Sequence, residues 1–127
     1  ALMENLFDIP NEVIENEADE FFEALICGKN GVNVERIVSM GQVTEENRWY
    51  DQDQDEWVAV IKGSAKVQHE DGREICLEVG DHLLIPKHVR HRVSYTSSPC
   101  IWLAVFGDDL ILKCAVPKSL SSEGTNL

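Results

Sequence analysis

The sequence predicts an all-β protein, a barrel or sandwich, with one short helix near its N-terminus. Three observations lead there. From Val34 to Phe106 the chain is a succession of short β-rich runs with turn residues between them. These runs show no βαβ alternation, which points to antiparallel pairing in a sandwich or barrel. Helical periodicity is confined to the first 33 residues.

In that first segment the apolar residues Ala18, Phe21, Phe22, Leu25 and Ile26 recur at helical spacing between Glu17 and Ile26. Asp19, Glu20 and Glu23 fall on the opposite face, Asn16 is a candidate cap, and Gly28, Asn30 and Gly31 end the pattern. This predicts an amphipathic helix packed on the outside of the β-rich region. The expected strands are Val34–Val43, Arg48–Gln52, Trp57–Lys62, Ala65–His69, Glu74–Leu77, His82–Ile85, Arg90–Thr96 and Ile101–Phe106. Asp71-Gly72 predicts a type I′ hairpin, in which both central residues need positive φ. Lys62-Gly63-Ser64 and Val79-Gly80-Asp81 read as further tight turns. Leu110–Val116 is a candidate last strand, and residues 117–127 form a polar tail. The chain thus divides into an N-terminal extension (1–33), a barrel (34–108) and a C-terminal strand with its tail (109–127).

Composition narrows the function. A chain of 127 residues is one domain, and 43% apolar residues is ordinary for a globular core. The net charge of −12, from 23 acidic and 11 basic residues, repels phosphate backbones and anionic lipid, so neither a nucleic acid nor a membrane surface is an expected partner. No run approaches the ~18 apolar residues of a membrane span, and no basic-then-apolar leader opens the sequence. Cys27, Cys76, Cys100 and Cys114 show no metal or redox spacing. All four are expected to be reduced, in a cytoplasmic protein, with Cys27, Cys100 and Cys114 acting as small hydrophobes.

Two stretches carry chemistry: Glu56-Trp-Val-Ala-Val-Ile-Lys-Gly63 and Gly80-Asp-His-Leu-Leu-Ile-Pro-Lys-His-Val-Arg-His91. Their spacing resembles the two motifs of the cupin superfamily. Gly80, Pro86 and His91 fit the second motif, with His88 where a second glycine usually stands. Glu56 and Gly63 fit the first, but the histidine pair that normally precedes the glutamate is replaced by Trp49-Tyr-Asp-Gln-Asp-Gln-Asp55. Val34–Ser39, Trp49–Gln52, Leu84-Ile-Pro86 and His91-Arg-Val93 look like a group of small single-domain bacterial cupins. The resemblance covers about residues 34–107 and implies a double-stranded β-helix, or jelly-roll barrel, with Glu56 and His91 turned inward.

Strand alternation sorts the surrounding side chains. Glu56, Val58 and Val60 share one face, and His91, Val93 and Tyr95 share another, which places Arg90 and Arg92 outside. The absent histidine pair admits two registers. One puts Trp49 and Asp51 in its place, so that the metal candidates are Asp51, Glu56 and His91. The other puts Tyr50 and Gln52 there, giving Gln52, Glu56 and His91 with the Tyr50 phenol nearby. Either oxygen-rich set favours Fe, Mn, Ni or Zn. His88, in the turn before the last ligand, is a second ligand, a proton shuttle or a rim residue. His69 and His82 read as surface residues, Trp49, Trp57 and Trp102 as core or interface, and Asp53 and Asp55 as a solvated acidic loop at the barrel mouth.

These readings lead to a pocket for a small-molecule ligand, with or without a divalent metal. As an enzyme it would be a metal-dependent oxygenase, isomerase or lyase, with Glu56 or His88 as general base. The alternative is a metal-free binding or sensing protein. Both are compatible with a homodimer formed across an outer sheet face.

Overall fold

A computed structural model describes residues 3–113. Helix α1 (Asn11–Glu15) is followed by eight strands: β1 (Phe21–Cys27), β2 (Asn33–Ser39), β3 (Asp55–Lys62), β4 (Ala65–His69), β5 (Glu74–Leu77), β6 (His82–Ile85), β7 (His91–Thr96) and β8 (Cys100–Gly107). They form two antiparallel sheets, one in the order β1-β2-β8-β3-β6 and the other β5-β4-β7. The jelly-roll architecture is the one the motif resemblance implies. No helix among the described residues is long and apolar enough to cross a membrane.

The core lies between the sheets. Ile37, Val58, Val60, Trp102 and Ala104 from the larger sheet meet Ala65, Val67 and Leu77 from the smaller. Every second residue of β3 and β4 contributes, as alternation requires. The other face of the larger sheet is closed separately. There Val13 of α1 packs with Val38 and Ile101, supported by Ile9, Phe21, Met40 and Ile61.

The predicted helix over 17–26 is not formed. Its second half is β1, paired with β2 from Phe21↔Val38 to Cys27↔Asn33 with an irregularity between Ala24 and Ile26. An apolar run this short satisfies helical and strand periods alike, and the free edge of β2 decides between them. The helix that does form lies earlier and follows Pro10. Asn16 serves its far end, where Oδ1 accepts hydrogen bonds from the Ala18 and Asp19 amides at 3.0 and 3.3 Å.

Five smaller differences follow. In the β4–β5 hairpin the Gly72 amide donates to the His69 carbonyl at 2.9 Å and the His69 amide donates to the Arg73 carbonyl at 2.8 Å. Only Gly72 has positive φ (95°), so Asp71 and Gly72 do not form the predicted type I′ pair, and the loop matches a three-residue turn with a glycine bulge. Arg48–Gln52 reduces to one bridge, Tyr50↔His91. A register shift in the β4–β7 ladder pairs Val67 with Val93 but Lys66 with Tyr95. Tyr95 is therefore turned outward, 5.9 Å from the Lys66 ammonium, and not inward with His91. Residues 110–113 form no strand. The rest of the predicted last strand, the polar tail and Cys114 lie outside the described residues. Cys27 is exposed, contrary to the hydrophobic setting expected for it, whereas Cys100 is buried.

Arg36 ties the N-terminal segment to the sheet. It is 4% exposed, and its guanidinium donates to Glu23 Oε1 at 2.9 Å and to the Leu6 and Asp8 carbonyls at 2.9 and 2.5 Å. Removing a charged donor strands three acceptors, a loss on the order of 2 kcal/mol. Arg36→Met is expected to lower the urea midpoint and to open residues 3–10 to proteolysis before the barrel is cut. Unchanged proteolysis of that segment would show that the clip is dispensable.

Candidate functional site

The site begins with the two glycine turns that set its strands. Gly63 (φ 81°) reverses the chain between β3 and β4, and Gly80 (φ 92°) precedes β6. A Cβ at Gly63 would collide with Ser97 Oγ and lie 2.5 Å from the Pro99 carbonyl oxygen, whereas one at Gly80 would meet nothing within 4 Å. His88 also has positive φ (62°). Histidine tolerates this region better than most residues, which explains how it occupies a position where the motif usually has glycine.

Glu56 begins the inward face of β3 and is 7% exposed; His91 begins β7 and is 4% exposed. The inward direction expected for both is observed. His91 Nε2 lies 3.8 Å from Glu56 Oε1. The His91 Nδ1 is 3.0 Å from the Val89 carbonyl, which only accepts, so Nδ1 carries the hydrogen. In the neutral ring Nε2 then presents its lone pair toward Glu56.

The order of residues 49–52 is set by one backbone contact. Tyr50 and His91 exchange amide–carbonyl hydrogen bonds at 2.7 and 3.1 Å, and the His88 amide donates to the Gln52 carbonyl at 2.9 Å. Tyr50 and Gln52 consequently line the cavity, and Asp51 does not. The Tyr50 ring stacks on the His91 imidazole with centroids 5.6 Å apart. Asp51 turns outward to His88 Nδ1 at 2.8 Å, both side chains being half or more exposed. His88 is a rim residue, absent from the cavity lining. Asp53 is exposed, but Asp55 is not the solvated residue expected. Its carboxylate accepts from the Lys87 amide at 2.8 Å and the Leu110 amide at 2.9 Å, and these bonds hold it below its usual carboxylate range.

The cavity has a volume of about 80 Å³ and is mostly apolar. Phe22, Tyr50, Trp102 and Phe106 supply aromatic surface, Ile37, Val58, Val67, Ile85 and Val93 aliphatic surface, and Glu20, Gln52, Glu56 and His91 the polar groups. Burial pushes the Glu56 carboxyl up to about 7, with the Glu35 charge adding to the rise and the Gln52 hydrogen bond opposing it. Burial also pushes the His91 imidazole down, opposed by the Val89 carbonyl and reinforced by His69. The Glu20 carboxyl is raised by burial too, against a short hydrogen bond from the Ser39 hydroxyl. Ser39 in turn accepts from Trp102 Nε1 at 3.1 Å. Glu20 is thereby tied through Ser39 to an aromatic wall of the cavity.

Glu20 and His69 are the polar residues that sequence periodicity misplaces. It assigns Glu20 to the polar face of a helix that does not form. His69, expected at the surface, is 7% exposed and pairs across the ladder with His91. The sequence does carry a signal for it, because Ala65, Val67 and His69 share one strand face. Its Nδ1 has no hydrogen-bond partner. His82 is exposed as expected and accepts from Trp57 Nε1 at 3.0 Å.

The donor set does not suit a resident divalent ion. Among the described residues no three His, Cys, Asp or Glu side chains are grouped to hold a metal. Glu56 and His91 stand face to face with an amide and a phenol beside them, while the second carboxyl of the lining, Glu20, is engaged by the Ser39 hydroxyl. That falls short of the three or more strong protein ligands usual in catalytic metal sites.

Fold and site together define a small β-barrel whose interior cavity is flanked by an acid and an imidazole. The chain belongs to the cupin family: the family model for the cupin domain matches residues 36–106. Its likeness extends to a solved structure from Ralstonia eutropha JMP134 named "putative mannose-6-phosphate isomerase". Identity is 41% over 85% of this chain and 99% of that one, with a TM-score of 0.75. A cupin superfamily protein from Desulfitobacterium hafniense DCB-2 shares 18% identity over 74% of this chain and 82% of its own, at a TM-score of 0.62. The DMSP lyase DddQ from Ruegeria pomeroyi DSS-3 shares 17% over 73% and 49%, at 0.61. The last two show likeness of fold. No curated protein sequence matches the chain.

Proposed function

We propose that the barrel cavity binds a small molecule without a resident metal, and that Glu56 and His91 hold or move a proton on it. One observation carries this reading: a buried carboxyl that titrates near neutrality faces the lone pair of a buried, oriented imidazole at 3.8 Å. Burial raises the proton affinity of the carboxyl and lowers that of the imidazole, which reverses their usual order and suits Glu56 as the acid and His91 as the base. Tyr50 stacks on the imidazole and fixes its plane, and Gln52 steadies the carboxylate. The aliphatic wall excludes water and strengthens both polar contacts. His88 and Asp51 stay at the rim, where they affect entry more than chemistry. The isomerase name attached to the Ralstonia relative fits a pocket that shuttles protons, but that name supplies no substrate for this chain.

Protein purified without a histidine tag is expected to carry well under one equivalent of Fe, Mn, Ni or Zn by elemental analysis. A thermal-shift screen of small hydroxylated and amino compounds in EDTA should find ligands that raise Tm by several degrees. His91→Ala should abolish that rise. Near-stoichiometric metal that is lost in His91→Ala would overturn the metal-free reading and install the alternative, a divalent ion on Glu56, His91 and Gln52.

A further inference from the structure

We infer that the cavity selects a small organic cation, a primary ammonium headgroup of about four heavy atoms, over an anionic or neutral ligand of the same size. This rests on the pocket reading above and names its ligand class. Three independent features of the lining carry it.

The first is charge. Glu20 and Glu56 both line the cavity, and no lysine or arginine does so among the described residues. A phosphorylated sugar entering here would meet two carboxyls and no counter-charge, a desolvation cost that nothing repays. The second is the wall. Phe22, Tyr50, Trp102 and Phe106 present aromatic surface, and the negative face of an aromatic ring attracts a desolvated cation. The third is the approach. Just outside, a recess lined by Asp19, Glu20, Glu45, Arg48 and Tyr50 shares Glu20, Phe22 and Tyr50 with the cavity, and its acids outnumber Arg48. Asp51 and Asp53 stand on the rim beside His88. With a net charge of −12 behind it, this mouth concentrates cations.

Size limits the headgroup. At about 80 Å³ the cavity is smaller than the ~150 Å³ space that takes up benzene, so a small primary ammonium group is suited to it, while any longer tail leaves through the mouth. Glu20 would be the selecting group. It sits at the junction of recess and cavity, where the Ser39 hydroxyl and, behind it, the Trp102 indole hold its carboxylate.

Titration of the full chain at pH 8 and constant ionic strength, followed by tryptophan fluorescence and calorimetry, tests this. The probes are isopropylammonium, its neutral isostere isopropyl alcohol, and inorganic phosphate. Isopropylammonium is expected to bind about tenfold more tightly than the alcohol, with phosphate not binding. Glu20→Gln should weaken the cation about fivefold and leave the alcohol within twofold. Phe22→Leu, which keeps the apolar surface but removes the ring, should weaken the cation two- to fivefold. Equal or tighter binding of alcohol or phosphate overturns the cation inference and leaves the pocket reading standing. So does cation binding that Glu20→Gln and Phe22→Leu leave untouched. Failure of all three probes, together with an empty thermal-shift screen, overturns both.

Discussion

Gly63→Ala is expected to destabilise the fold by about 3 kcal/mol or more, the largest effect of any single methyl group at the site's two motif glycines. Two costs combine. An L-residue at φ 81° loses about 1 kcal/mol, and the new Cβ must displace the Pro99 carbonyl at 2.5 Å as well as the Ser97 hydroxyl. That carbonyl belongs to the backbone entering β8, and overpacking against backbone costs about 1–3 kcal/mol further. Ser97 Oγ also accepts from the Ser64 amide at 2.9 Å and donates to the Pro99 carbonyl at 2.8 Å, so the whole crossing of the β3–β4 and β7–β8 turns would shift. Gly80→Ala is the internal control. Its φ is 92° but its surroundings are open, so only the backbone term of about 1 kcal/mol should appear. Urea unfolding of the two variants measures the difference, and equal losses would show that the contacts around Gly63 relax freely.

Glu56→Gln should change the pH dependence of stability in one direction. The carboxyl rises from its ordinary 4.5 to about 7 on folding, because burial penalises its charge. The folded state therefore holds a proton that the unfolded chain has released between these values. Stability is highest, so far as this group matters, below pH 4.5, and it falls as pH rises to about 7. Once the carboxyl is ionised the penalty is about 3 kcal/mol. Glutamine has no such penalty, so the variant is expected to be more stable than wild type by up to about 3 kcal/mol at pH 8, and nearly equal to it at pH 4.5. His91 contributes with the opposite sign. Its lowered proton affinity makes the folded state release a proton that the unfolded chain keeps near pH 6.5, so its share of stability is lost as pH falls through that region. Urea midpoints from pH 4.5 to 8 in EDTA distinguish the two groups. A variant whose profile runs parallel to wild type would show that Glu56 is already hydrated in the apo barrel. The same variant is expected to lose proton transfer on any ligand bound beside His91.

The gain in apo stability and the expected loss of function belong to one side chain. A buried carboxyl that costs stability at pH 8 is tolerable where a bound partner repays the cost. The proposed cation would do so by stabilising the ionised carboxylate. The candidate site is thus the part of the barrel where sequence compromises stability most plainly. The remainder of the interior, from Val58 and Val60 to Ala65 and Val67, is ordinary aliphatic packing.

Much of this molecule is legible in its sequence, for local reasons. β4, β5 and β6 coincide with the runs Ala65–His69, Glu74–Leu77 and His82–Ile85, because alternation and the intervening turn residues act within a few residues of each other. The inward direction of Glu56 and His91 comes from the same alternation, counted from the neighbouring valines. The resemblance to the cupin motifs, carried by the spacing from Glu56 to Gly63 and from Gly80 to His91, implies the two-sheet barrel around them. Tertiary contacts decided the rest. Phe21–Cys27 is a strand because the edge of β2 offers hydrogen bonds that a solitary helix cannot match, and that choice carries Glu20 into the cavity. Tyr50 and Gln52 turn inward because a single bridge to His91, 41 residues away, sets their order, and no local period specifies it. Tyr95 turns outward because a ladder irregularity reverses alternation after Val93. Short-range periodicity and the motif resemblance thus determined the barrel and its acid–imidazole pair, whereas long-range strand pairing chose the companions of that pair and gave the pocket its chemical character.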